Sequence, residues 1–164
     1  MTSTAKKTSH QSESTRPQEA TKLLRADHKL VNTLFLQYES SRSKEKKKAL
    51  IEQICQELIV HAQIEEEIFY PKVQTALNDT ELVPEARVEH ETLKHLIAQL
   101  EDGEPGDEEF EAKVKVLSEY VKHHVREEQK EIFPKVQNSK LDLEELGAEL
   151  AQRKEELKDG SGNI

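Results

Sequence analysis

Two spacings in this chain could do chemistry: His61 with Glu65, and His124 with Glu128. On an α-helix a step of four residues turns about 400° and rises about 6 Å, so each pair projects from one face, one turn apart. An imidazole and a carboxylate so placed can converge on one metal ion. The segments that carry them are copies of each other, HAQIEEEIFYPKVQ over 61–74 and HVREEQKEIFPKVQ over 124–137, and they align without a gap. Each copy also has an upstream partner. His28 in RADHKLVNTLF lies 33 residues before His61, and His90 in RVEHETLKHLI lies 34 before His124, with Asp27 and Glu89 directly ahead of them. The repeating unit is therefore a helical hairpin with one His on its first helix and His-x-x-x-Glu on its second. Two such hairpins bring together six candidate ligands: His28, His61, Glu65, His90, His124 and Glu128.

One histidine on an apolar stripe is ordinarily a core residue bonded to a neighbour. Four at matched levels, accompanied by two glutamates, read differently, because burying a carboxylate without a partner costs several kcal/mol. No Lys or Arg occupies these stripes level with Glu65 or Glu128, so metal ions are the natural counter-charge. Imidazole and carboxylate without thiolate suit iron, manganese or zinc, and six protein ligands exceed the needs of one tetrahedral zinc. A two-metal site divides them evenly, two His to each metal with Glu65 and Glu128 bridging. Iron is the first choice and manganese the second. Asp27 and Glu89 are either acceptors of hydrogen bonds from ligand imidazoles or solvated residues beside the core stripe.

The composition sets the frame for these side chains. The chain has 164 residues, 35% of them charged, with five Gly, five Pro and no Trp, which indicates long solvated helices rather than sheet. A net charge of −9 argues against nucleic acid and anionic membrane surfaces as partners. Cys55 is the one cysteine, which excludes an intrachain disulfide and a thiolate zinc site and leaves a small apolar residue. No apolar run approaches the roughly 18 residues of a membrane span, and the polar N-terminus lacks a signal-like apolar segment. The expected location is the cytoplasm.

The elements follow from apolar periodicity. Residues 1–16 are expected to be a disordered tail, 17–138 a four-helix bundle, and 139–164 a C-terminal amphipathic helix with a frayed end from Gly160. Helix 1, ending near Arg42, carries Leu24, His28, Val31, Phe35 and Tyr38. Helix 2, starting near Ser43, carries Ile51, Ile54, Leu58, His61, Glu65 and Ile68. Val83, Ala86, His90, Leu93, Ile97 and Leu100 form the third stripe, and Phe110, Val114, Leu117, Val121, His124 and Glu128 the fourth. All keep a repeat near 3.5, the pattern of helices crossing at roughly 20°. The connections are short, so the topology is up-down-up-down and antiparallel. Pro71 and Pro134 should end or kink helices 2 and 4. The segment after Ser139, with Leu143, Leu146, Leu150 and Leu157 on one side, predicts a short fifth helix on the bundle exterior. Residues 139–158 are otherwise a surface for a protein partner. Tyr38 and Tyr70 read first as core filler, with an approach to the site as the alternative.

The residues RADH around His28, HAQIEEEIFYP from His61, VEHE around His90 and HHVREEQKEIFP from His123 resemble the hemerythrin-like, or HHE cation-binding, family over about Leu23 to Gln137. The resemblance implies an all-α, up-down four-helix bundle around a non-haem, carboxylate- and oxo- or hydroxo-bridged di-iron centre. The six residues above would be its ligands, with Glu65 and Glu128 as the bridges. Oxygen-carrying hemerythrins have a fifth His four residues after the His of the third helix, where this chain has Lys94. They also have an Asp five residues after the fourth-helix His, whereas Glu128 follows His124 by four. His95, about 140° round the helix from His90, and His123, about 100° from His124, lie off the ligand face. Two nearly equivalent metals, each with an open position, are therefore expected. The implied function is binding or sensing of O2, peroxide or nitric oxide in oxidative or nitrosative stress or iron homeostasis. The alternatives are a di-iron redox enzyme, and a metal buffer or structural metal bundle.

Overall fold

The computed structural model describes residues 18–161, all helical apart from short connections, and contains no strand among them. The predicted disordered tail, 1–16, lies outside the described residues. Helix α1 (Ala20–Ser40) is capped by Glu19, whose carboxylate accepts the Lys22 N–H at 2.6 Å, and it ends two residues short of the expected Arg42. Ser43 caps α2 (Lys44–Ile64) by accepting the Lys46 N–H. After the turn at Asn78, which takes a left-handed φ of 50°, both carboxylate oxygens of Asp79 accept amides from the start of α4 (Leu82–Glu101). The loop 102–107 leads to α5 (Glu108–Glu127).

Helices 2 and 4 do not end at their prolines. The first rod runs from α2 through a π-helical segment, Glu65–Phe69, into α3 (Tyr70–Leu77). The second runs from α5 through a π segment, Glu128–Ile132, into α6 (Phe133–Gln137). Proline has no N–H to donate and its ring crowds the carbonyl four residues back. Both rods accommodate this by widening one turn: the Tyr70 N–H donates to Glu65 O and the Phe133 N–H to Glu128 O, five residues back instead of four. Each wide turn begins at a repeat glutamate. The extra residue rotates everything downstream, so Phe69, Tyr70 and Val73 face the core and the expected stripe residue Ile68 is only half-buried.

The fifth helix is longer than expected: α7 spans Leu143–Ser161, past the anticipated fraying point at Gly160. Leu146 and Leu150 are buried against α1 and the first π segment, with Leu143 and Leu157 packed at the margin. Leu146 and Leu150 of its apolar face are therefore covered within the molecule. The remaining stripe residues are buried as read, and they form two clusters. One, from Val31 to Val121, fills the end of the bundle that holds the C-terminal half of α1 and the N-terminal half of α2. The other gathers Leu24, Phe69, Tyr70, Phe133, Leu146 and Leu150 at the opposite end. The polar residues of the repeat lie between them.

Candidate metal centre

Each of the four long rods contributes to one buried polar layer. Among the described residues, His28, His61 and Glu128 bring ligand atoms within 4.8 Å of one another, and Glu65, His90 and His124 do the same. The Nε2 atoms meet in pairs, His28 with His61 and His90 with His124, each pair 3.2 Å apart. Both glutamates reach both pairs. Glu65 Oε1 lies 2.9 Å from His61 Nε2 and 3.5 Å from His90 Nε2. Glu128 lies 3.2 Å from His28 Nε2 through Oε1 and 3.5 Å from His124 Nε2 through Oε2. The structure thus brings all six sequence-predicted residues into one cluster arranged as two histidine pairs with a carboxylate spanning them on each side.

The opposite ring nitrogens face outward onto a second set of partners with the same internal symmetry. Asp27 and Glu89, the acidic residues ahead of the upstream histidines, lie 2.9 Å from Nδ1 of His61 and of His124. Glu66 lies 3.2 Å from Nδ1 of His90, and the Gln129 amide 3.0 Å from Nδ1 of His28. The atom of Gln129 that meets His28 is its amide nitrogen Nε2; a histidine ligating through Nε2 carries its proton on Nδ1, so a metal-bound His28 would require the Gln129 amide to turn its oxygen to Nδ1. Such partners fix the tautomer and ring plane of a ligating imidazole. Glu66 and Gln129 escaped the sequence reading, although each directly follows the glutamate of its repeat copy. Lys154 of α7 also escaped it; its ammonium pairs with Asp27.

Tyr70 is part of the core and also reaches the layer. Its hydroxyl donates to Glu128 Oε2 at 2.5 Å and lies 3.3 Å from His90 Nε2. The wide turn aims it inward; in the other copy the equivalent Phe133 stacks on His28 at 6.0 Å. Tyr38 bonds instead to Glu111, far along the bundle. Cys55 is buried and its thiol is pushed up to about 12, chiefly by desolvation, so it is inert. His95 is exposed, Lys94 pairs with Glu66 at 2.8 Å, and His123 lies outside the layer against Glu127.

The electrostatics of the layer demand a cation. Among the described residues, both oxygens of Glu65 and Oε1 of Glu128 are buried without a hydrogen-bond partner. Orphaned buried carboxylate oxygens are costly and need positive charge close by. In the protein alone, imidazolium supplies it. Burial pulls His61 down, but the Glu65 charge and the Asp27 hydrogen bond outweigh this and raise it to about 10. His124, likewise opposed by burial, is raised to about 11 by Glu128 and Glu89. Glu128 itself is held well below the usual carboxylate range: desolvation by burial opposes this, but the His124 and His28 imidazoles beside the carboxylate outweigh it. Four imidazoles and two bridging-length carboxylates, with the orphaned oxygens between them, fit a pair of metal cations. A cavity of about 30 Å³ abuts all four imidazoles, walled by apolar side chains such as Leu58, Leu93, Ile97 and Val121. It has room for about one small molecule.

Fold and site together define a metal-cation-binding helical bundle. The hemerythrin HHE cation binding domain matches residues 19–136, and the chain belongs to that family. A DNA nickase of Nostoc sp. (strain PCC 7120) is 32% identical over 117 residues, 71% of this chain, and the chain spans about a third (33%) of the nickase's length. The crystal structure of a hemerythrin HHE cation binding domain-containing protein from Mycobacterium kansasii superposes with a TM-score of 0.74 at 24% identity. That match covers 87% of this chain and 89% of the other, and it establishes a shared fold.

Proposed function

We propose that the chain is a non-haem di-iron protein that binds or senses O2, peroxide or nitric oxide, acting in oxidative or nitrosative stress or iron homeostasis. The observation that carries the reading is the pair of buried carboxylates with orphaned oxygens lying between two histidine pairs. His28 and His61 would hold one iron, His90 and His124 the other, with Glu65 and Glu128 joining them. Oxygen- and nitrogen-donor ligands without thiolate suit iron, and the six-residue set leaves coordination positions free. When bound, the irons supply Lewis acidity and electrons.

The chain's own residues do the rest. Asp27, Glu66, Glu89 and Gln129 orient the imidazoles, and the apolar cavity admits a small uncharged molecule while excluding bulk water. A second reading, a redox enzyme that decomposes peroxide or reduces nitric oxide, is favoured by Tyr70. Its phenol proton sits within hydrogen-bond reach of Glu128 and beside the cavity-lining His90. The activity in the name of the Nostoc relative is that protein's. The acidic balance of this chain, −9, opposes DNA as its partner.

The deciding experiment is anaerobic loading with Fe(II), metal analysis per chain, and the visible spectrum on admitting O2, with His61→Ala alongside. About two irons and new charge-transfer bands, both lost in the variant, are expected for two-metal sites of this kind. One metal or none, with no response to O2, would reduce the protein to a structural or metal-buffering bundle. Sustained rather than stoichiometric consumption of peroxide would favour the enzyme reading.

A further inference from the structure

The internal repeat is symmetric at the centre but not on its outer faces. In the first half, Leu23, Ile64 and Ile68 lie under α7 as part of its apolar seat. The positions equivalent to them in the second half are Glu85, Glu127 and Glu131. No residue of α7 lines that face. A cleft of about 230 Å³ opens there instead, lined by Glu85, Glu89, Glu127, Glu128, Glu131 and His124 among others and, among the described residues, by no lysine or arginine. Glu85 and Glu131 are exposed at its rim, whereas Glu128 and His124 are 1% and 4% exposed and form its floor. Among the described residues, Oε1 of Glu128 at that floor has no hydrogen-bond partner.

Between rim and floor stands Glu89. Its Oε1 holds His124 Nδ1 at 2.9 Å, and its Oε2 lies 3.8 Å from Nε2 of His123, which in turn lies 3.4 Å from Glu127 Oε1. Glu89, His123 and Glu127 place ligand atoms within 4.8 Å of one another, nearer the surface than the buried layer. Two other faces of the centre carry a lysine. Lys154 sits against Asp27 on the face sealed by α7, and Lys94 lines the small apolar cavity. A narrow, single-sign acidic cleft concentrates cations and speeds their capture.

We propose that this cleft is the route by which divalent metal ions reach the buried centre, with Glu89, His123 and Glu127 as an outer binding point passed on the way. The proposal rests on the reading of the buried layer as a metal centre. It separates two tasks within one repeat: the first hairpin is closed by α7 for stability, and the second is left open and acidic for loading.

The test is the rate of metal uptake, not the activity of the loaded protein. Metal-free protein is mixed with Co(II) in a stopped-flow instrument, uptake is followed by the visible absorption of the bound ion, and the final stoichiometry is measured separately. The triple variant Glu85→Gln/Glu127→Gln/Glu131→Gln should load about tenfold more slowly and reach the same stoichiometry. Glu39→Gln/Glu108→Gln/Glu119→Gln, which removes the same charge from exposed sites elsewhere, should load at close to the wild-type rate. His123→Ala should slow uptake severalfold without changing the amount bound. Equal rates for the two triple variants would overturn the route, and so would a lower stoichiometry at an unchanged rate, which would make these glutamates ligands. No uptake by the wild type would overturn the metal-centre reading itself, an outcome distinct from failure of the route alone.

Discussion

Every imidazole of the buried layer has one nitrogen turned inward and the other held from outside, so the ring is committed to a role before any metal arrives. In the metal-free protein the inward nitrogens compete for protons. His61 is raised to about 10 and His124 to about 11, because the surrounding carboxylates outweigh the desolvation that opposes their charge. Both therefore carry a proton at neutral pH that a metal must displace. Loading should release protons at pH 7 to 8, and affinity should rise with pH up to about 11, where His124 gives up its proton. Calorimetric titration in buffers of differing ionisation heat measures the number released; a value of zero would refute this account. At this scale the sequence exposes much of the site. His-x-x-x-Glu is a geometric statement about a helix face, and Asp27 and Glu89 stand beside their histidines in the chain. Tyr70 was not legible, since its direction depends on a turn that departs from the α-helical count.

The two π turns and α7 position the site at the level of elements. Each π turn begins at a repeat glutamate and ends just before a proline, so the proline's missing donor is absorbed where the carboxylate must face inward. The same residues that would break a regular helix thereby rotate Phe69, Tyr70, Ile132 and Phe133 into the core. Helix α7 crosses the start of α1 at Gly147, and a methyl group there would fall 2.1 Å from the Gln18 carbonyl oxygen and 2.9 Å from the Ala20 nitrogen. Gly147→Ala should therefore push α7 off its seat and lower stability by about 1–3 kcal/mol, as overpacking typically does. Denaturant unfolding measures it, and a stability equal to wild type would show that the crossing has slack. The leucines of α7 announce an amphipathic helix in the sequence. What they pack against does not follow from it, because a partner protein and the exterior of this bundle offer the same apolar surface.

For the molecule as a whole, the metal layer is a polar seam between two apolar clusters, one around Phe35, Leu58 and Leu117 and the other around Tyr70, Phe133 and Leu150. Across this seam the buried charges of Glu65 and Glu128 are balanced by protons or by metals. Metal binding should accordingly stabilise the seam more than either cluster. Hydrogen exchange is expected to show the largest gain in protection on loading at Glu65–Phe69 and Glu128–Ile132, and the smallest at Val114 to Val121. A uniform gain along the chain would mean that the metals stabilise the bundle globally and that no seam exists.

The sequence by itself determined the helices, their stripes, the repeat and the identity of the six central residues. These depend on periodicity and spacing, which are local properties of a chain with a fixed helical pitch. Tertiary structure alone decided what surrounds them. That Glu66 serves His90, that Lys154 reaches Asp27, and that one face of the repeat is sealed by α7 while the other stays open all depend on which helices lie side by side. Residues 24 to 127 positions apart meet there through packing, and no local spacing encodes such a meeting.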